Sequence, residues 1–327
     1  MFGGDGDLNL ILVLPSGERG INIFKEKALV PQIAGQLNLR PSQIQVSFAN
    51  SVVDIGLSAA DCGMVNHSRV TVNMVHFITT SEEFRLVVED IIALNQDSGI
   101  HVEYLMENVT FWDDKIFDIN FYNRNIKELP ESFGNIIVGG SLKLDGNQLR
   151  TLPESFGNII VDGDLNLSNN IIQTLPESFK NITIDGNLNL SKNKLQTLPE
   201  SFGYITVGGN ISLSHNGIQT LPENFGHITV GGNLNLSHNE LQTLPESFGH
   251  ITVGCNLELS HNRIQTLPES FGNITVGGDL SLYENQLQTL PKSFKNITVS
   301  GNLFLKQNMF NPELEIIKPR NVSGKLF

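Results

Sequence analysis

The stretch Leu234-Asn-Leu-Ser-His-Asn-Glu-Leu-Gln-Thr-Leu-Pro245 decides the fold of most of this chain, because the chain repeats it. Its closing Leu-Pro recurs at Leu129, Leu152, Leu175, Leu198, Leu221, Leu244, Leu267 and Leu290, a period of 23 residues without a slip. A fixed period in this range marks a solenoid, in which each unit leaves its apolar face open until a neighbour stacks on it. In the unit Leu198 to Thr220 the apolar positions are Leu198, Phe202, Ile205, Val207, Ile211, Leu213 and Ile218. Each of these columns stays large and apolar in the other full units, so seven inward residues form the core of one coil.

Ile211-Ser212-Leu213 alternates with a period of two, which turns Ile211 and Leu213 inward and Ser212 outward on a short strand. Ile205 and Val207 give a second strand on the opposite side. Gly208-Gly209 lies between them, and at least one glycine recurs at this corner in every repeat. That corner is expected to carry a positive φ or a tight bend. Three residues beyond Leu213 stands Asn216, in a column with Asn147, Asn170, Asn193, Asn239, Asn262, Asn285 and Asn308. A buried Asn there is expected to bond the carbonyl of one coil and the amide of the next.

The run Leu-x-Leu-Ser-x-Asn-x-Leu-x-x-Leu-Pro resembles the leucine-rich repeat, and with a worn copy at its start the resemblance covers residues 115–312. It implies a chain that is α/β and mostly β, with a right-handed solenoid whose concave face is a parallel sheet of about nine strands, and a function in binding other proteins on that face. One departure is the Ile-Thr-Val segment, where many members carry a helix or a 3₁₀ turn. This leaves the curvature open.

The chain has 327 residues and a formal net charge of −13. No segment is basic enough to track phosphates, and the most acidic one, residues 79–128, carries eleven acids against four bases. Nucleic acid is therefore not an expected partner. Only Cys62 and Cys255 occur, so no disulfide framework caps the repeats and an intracellular, cytoplasmic setting is expected. The apolar run Leu8 to Leu14 is too short for a membrane span, and the start has no basic region of a signal segment.

Residues 1–78 follow another pattern. Leu8, Leu10, Leu12 and Leu14 alternate, Pro15 to Gly20 supplies a turn, and Ile21 to Phe24 resumes, which reads as a hairpin. A short helix over Ala28–Leu37, strands over Ile44–Phe48 and Val70–Val75, and a turn at Ala49 to Ser51 complete the order. The runs Arg40-Pro-Ser-Gln-Ile-Gln-Val-Ser-Phe48, Gly56 to Met64 and Ser68 to Val75 resemble the third strand, late turn-helix and last strand of ubiquitin. The resemblance implies a β-grasp domain whose exposed apolar patch would involve Ile44 and Val70. The chain continues His76-Phe-Ile-Thr79 rather than Gly-Gly, which is incompatible with conjugation through a carboxyl tail.

Between the two regions, residues 79–128 read as a helical linker and N-terminal cap. Thr80-Ser-Glu-Glu83 has capping-box spacing, and Phe84, Val87, Val88, Ile91 and Leu94 follow at helical intervals, so a helix is expected over 80–96. Ile100 to Leu105 reads as strand-like. Lys115 to Leu129 is the worn repeat, with Arg124 in the asparagine column. Eight 23-residue units then fill 129–311, and 312–327 is expected to cap the stack, with Phe304, Met309, Phe310 and Pro312 breaking the columns.

Outward positions of the concave strands are small and polar in the middle of the array and diversify toward its ends. The residues expected to meet a partner are Lys143, Asp145, His215, His238, Glu258, His261, Arg263, Tyr283 and Glu284. His215, His238 and His261 share one column in consecutive repeats. Repeat duplication accounts for them more simply than a metal or pH-sensing role, since no carboxylate or cysteine is expected beside them. Glu131, Glu154, Glu177, Glu200, Glu223, Glu246 and Glu269 form a second ladder, read as a solvated edge. No nucleophile with a convergent base, phosphate loop or Cys/His metal spacing stands out, so neither an enzyme, a cofactor, a metal nor a small-molecule substrate is expected. The expected role is a non-enzymatic scaffold or adaptor that binds a protein on the solenoid and docks to ubiquitin-pathway proteins through residues 1–78. The alternative is a structural spacer or assembly protein built on rigid, near-identical repeats.

Overall fold

The computed structural model describes residues 7–14, 17–24, 44–48, 51–52, 69–74, 78, 80–311, 319 and 321–327. The chain divides into two compact units, Met1–Phe77 and Ile78–Phe327.

In the first unit, strands β1 (Asp7–Leu14), β2 (Gly17–Phe24), β3 (Ile44–Phe48), β4 (Ser51–Val52) and β5 (Arg69–Met74) form one sheet in the order β2-β1-β5-β3-β4. Strand β1 is antiparallel to β2 and parallel to β5. Leu14 lies opposite Gly17, so the second strand begins at Gly17 and takes in residues 17–20, which the sequence reading gave to the turn. The expected helix Ala28–Leu37, the turn-helix Gly56–Met64 and Cys62 lie outside the described residues.

In the second unit each coil is built the same way. Pro199, at φ −64° and ψ 151°, leads into a 3₁₀ turn over Glu200–Tyr204, and the Phe202 amide donates to the Pro199 carbonyl at 2.9 Å. The strand Thr206–Val207 follows, the chain bends, and Ile211–Ser212 forms the second strand. The coil thus holds a 3₁₀ turn as well as the Ile-Thr-Val strand, where the sequence reading saw only the strand. A proline with fixed φ and no amide is compatible with the residue before the turn.

Backbone bonding runs from coil to coil: the Ile211 and Leu213 amides donate to Asn233 and Asn235 carbonyls, both at 2.8 Å. Two sheets result. One has nine parallel strands, from Ile137–Val138 to Asn321–Val322. The other has ten, of which nine are parallel, from Lys115–Asn120 to Leu303–Phe304. The tenth, Val109–Trp112, pairs antiparallel with Lys115–Asn120 through a turn at Asp113 and Asp114, both at positive φ, and covers the edge of the sheet.

A single apolar cluster runs from Phe84 to Leu305. At its centre Phe133, Phe156, Phe179, Phe202, Phe225, Phe248, Phe271 and Phe294 are fully buried and stack at 6.0–6.4 Å with planes within 11°. The asparagine column is buried or half-buried throughout. Asn239 Nδ2 donates to Leu213 O and Leu236 O, each at 3.0 Å, while its Oδ1 accepts from the Ile218 amide at 3.2 Å. The amide therefore belongs to the preceding coil, not to the next one as the sequence reading had it. Preceding-coil carbonyl and amide converge on one side chain, because the chain reverses there before its Leu-Pro.

The corner glycines do not carry the positive φ expected of them. A Cβ on Gly231 would instead overlap the Gly208 carbonyl one coil back, so close approach of the backbones excludes other residues. Positive φ falls one residue before each asparagine, at Gly146, Asn169, Lys192, His215, His238, His261, Glu284 and Gln307.

The cap helix spans Ser81–Leu94, with the Thr80/Glu83 capping box formed and Phe84, Val87, Val88 and Ile91 buried. Phe84 stacks on Phe121 at 6.3 Å and closes that end of the core. Asn95, 3% exposed, ends the helix: its Nδ2 donates to Ile91 O and Glu128 O, and its Oδ1 accepts from the Lys127 and Glu128 amides. Ile100 to Leu105 is not a strand but leads into the helix Val102–Met106 with Leu105 buried, since its amides find i−4 carbonyls. At the far end the columns do not simply break. Asn321–Val322 pairs with Thr298–Val299, Leu326 bridges Leu303, and Phe327 stacks on Phe304 at 5.1 Å, while Pro312 lies outside the described residues.

Phe225→Ala should lower stability by about 3–5 kcal/mol through the lost ring and residual cavity. Asn239→Ala, which leaves the buried Ile218 amide unpaired and removes one of two donors from each of the Leu213 and Leu236 carbonyls, should cost about 1–3 kcal/mol. The exposed Thr229→Ala should change stability by less than about 0.5 kcal/mol. Urea denaturation of the three variants checks the order.

Candidate functional site

The outward positions of the ten-stranded sheet lead directly into the positive-φ column that holds the histidines. Successive Phe rings are 6.0–6.4 Å apart, whereas His215, His238 and His261 stack at 4.2 and 4.1 Å with planes 9–10° apart. The histidine rings are thus in face-to-face contact beside that sheet.

His215 and His238 are exposed and His261 is half-buried. Each is held at φ between 53° and 55°, a region that costs most side chains about 1–2 kcal/mol and suits Gly or Asn. Gly146 and Asn169 occupy the same column without that difficulty. The next residue in it, Glu284, accepts a bond from His261 Nδ1 at 2.7 Å, so a carboxylate does join the histidines, contrary to the sequence reading. Tyr283 meets the His261 ring edge-on at 5.6 Å, and its hydrogen bond to Glu284 pushes the phenol above its usual pKa. Burial holds the His238 imidazole below the ordinary histidine range, and the flanking His261 and His215 push the same way.

The other expected contact residues separate. Arg263 is exposed and paired with Glu240 at 3.3 Å. Glu258 sits half-buried on its strand, where burial raises its pKa, the Ser281 hydroxyl partly offsets this and Asp279 adds to it. Lys143 and Asp145 lie five repeats before Glu258 and His261-side residues, so they share the sheet but not the cluster. Burial raises the Asp145 pKa, and its Oδ1 has no hydrogen-bond partner. Ile44 and Val70 lie on β3 and β5 of the first unit. No group of three or more His, Cys, Asp or Glu among the described residues has metal-holding geometry, and no described helix is long and apolar enough to cross a membrane.

The glutamate ladder is more than a solvated edge: Glu131, Glu177 and Glu269 accept from the Ser155, Ser201 and Ser293 amides of the next coil. The sequence reading passed over Trp112, 73% exposed, which lies beside a groove of about 570 Å³ with Phe117 and Ile137. Its signal was available, since it is the sole tryptophan in the chain.

A leucine-rich repeat family model matches residues 233–251 and 255–274. The chain thus carries leucine-rich repeats. It is similar to YopM, a leucine-rich effector protein from Yersinia pestis, at 18% identity over 75% of each chain and a TM-score of 0.44. It is also similar to a chain of a pParkin–pUb–UbcH7 complex, at 17% identity over 24% of this chain and 26% of that one, with a TM-score of 0.20. No curated protein sequence matches it.

Because Glu258 binds its proton more tightly when folded, its favourable contribution is full below the ordinary carboxylate range and is lost as pH rises through the raised value. Glu258→Gln should therefore be more stable than wild type near neutral pH and indistinguishable from it below about pH 4. His238→Asn relieves backbone strain but forfeits a ring stack, so the two should cancel within about 0.5 kcal/mol at neutral pH. In mild acid it should gain about 1 kcal/mol, the cost of charging rings ~4 Å apart. Urea titrations at both pH values measure each difference.

Proposed function

We propose that the protein is a non-enzymatic interaction scaffold or adaptor, which holds a protein partner on the concave sheet and works inside the cell. The observation that carries this is where the sheet spends stability. Asn166, Asn189, Ser212 and Asn235 make an undemanding polar middle. Beyond them the chain places a partly buried carboxylate at Glu258, strained imidazoles at His238 and His261, and the Tyr283/Glu284 pair. Groups kept at a cost to folding on an accessible face are candidates for recognition. Leucine-rich repeat proteins generally bind other proteins, which supports the same reading.

A second contact is proposed for residues 1–78, as a ubiquitin-like β-grasp domain docking to ubiquitin-pathway proteins through Ile44 and Val70. The strand order β2-β1-β5-β3-β4, with β1 and β5 parallel, supports that assignment. Two sites on one chain would raise the local concentration of their partners. The uniform middle columns favour the competing reading of a rigid spacer.

Affinity capture with the full chain distinguishes these. Glu258→Lys or Tyr283→Ala should remove one set of bound proteins, and Ile44→Ala or Val70→Ala a different one, each by about tenfold. Capture of further copies of this chain alone would favour the spacer, and loss of both sets by every variant would overturn the two-site scheme.

A further inference from the structure

The column Lys192, His215, His238, His261, Glu284 is electrically graded. Lys192 is exposed at one end and forms no ion pair among the described residues. Glu284 closes the other end against His261 at 2.7 Å. Between them the rings are separated by 4.2 and 4.1 Å, so two neighbouring rings cannot both take protons without repelling at close range. The remaining charges around the column are already engaged or turned elsewhere. Arg263 pairs with Glu240, Tyr283 bonds Glu284, and Glu258 lies on the adjoining strand, while Ser214, Ser237 and Ser260, each one residue before a histidine, are buried. The Glu284 carboxylate therefore already serves the His261 end, and among the described residues no anion pairs with the Lys192–His215–His238 end.

We propose that this column is a pH-gated docking strip for an extended acidic segment of a protein partner, an inference that rests on the concave sheet being the recognition face. Charge complementarity identifies the occupant. Three coil steps from Lys192 to His261 span about 14 Å, the length of four or five extended residues. In such a segment, side chains on one side recur every ~6.7 Å, about one and a half coil steps, so one acid of an alternating series can rest between two rings while the next reaches toward Lys192. A carboxylate between two rings offsets the repulsion that otherwise opposes their protonation. Binding and proton uptake are thereby linked, and the strip is weak when the rings are neutral and strong when they are charged. The left-handed backbone at each histidine fixes the column facing outward, where Asn could stand without losing the fold.

The test is fluorescence anisotropy of the full chain with a labelled Glu-Ser-Glu-Ser-Glu-Ser-Glu peptide at constant ionic strength. Affinity should rise about tenfold or more between pH ~7.5 and pH ~5.5, and less than about twofold in the triple variant His215→Asn, His238→Asn, His261→Asn. Urea titration of that variant verifies that it is folded. Wild-type binding that does not depend on pH, pH dependence retained in the triple variant, or equal binding of a Lys-Ser peptide would overturn the proposal. Tighter binding of a uridine oligonucleotide of equal charge would overturn the assignment to protein. If the peptide fails while Glu258→Lys and Tyr283→Ala still release captured proteins, the strip falls and the recognition face stands. If both fail, both readings fall together.

Discussion

Everything in the solenoid depends on a hydrogen-bonded step of 23 residues. The strands are two residues long and have no useful stability alone; each amide of Ile211 and Leu213 is satisfied by the coil after it. The asparagine column bonds in the opposite direction, to the coil before it, through Leu213 O and the Ile218 amide in the case of Asn239. Every coil is thus clamped from both sides by copies of the same groups. An inserted residue would displace not one contact but a whole ring of them, which is why the period never slips.

The same constraint decides what the sequence could reveal. Burial repeats at every step, so the seven inward columns, the two strands per coil and the buried asparagines could be read from residue types alone. Backbone conformation could not. Glycine serves both positive φ and close approach, and its presence at Gly208 and Gly231 does not say which. The structure assigns close approach to that corner and positive φ to the histidine column, whose clue was Gly146 and Asn169 in register with His215. The 3₁₀ turn escaped notice because Glu-Ser-Phe-Gly carries a single inward residue and no periodicity.

Both ends of the array were harder to read, for different reasons. At the start, the helix was legible from its capping box, but Ile100 to Leu105 was too short for alternation to separate a strand from one turn of helix. Asn95 was not legible at all, since three of its four side-chain bonds join the helix end to residues more than thirty positions away. At the other end the signal was present. Val322-Ser-Gly-Lys-Leu-Phe327 repeats Val299-Ser-Gly-Asn-Leu-Phe304 with one change. Of the candidate site, the residues were visible as departures from uniform columns. Their coupling was not, because it depends on how far apart successive coils stand.

That distance also explains why one kind of duplication has two consequences in this molecule. His227 and His250 are neighbours in their own column, yet their rings stand 5.9 Å apart at 19°. His215, His238 and His261 stand at 4.1–4.2 Å. Both sets arise from the same repeat with the same step along the chain. They differ in where the coil holds them: the first set lies in the 3₁₀ turns, and the second at the positive-φ step after the ten-stranded sheet. A side chain copied from coil to coil remains a row of separate groups in the first place. In the second it becomes a coupled array, in which the charge of one ring opposes the charge of the next. The backbone conformation at each column therefore determines which repeated residues can act as one site.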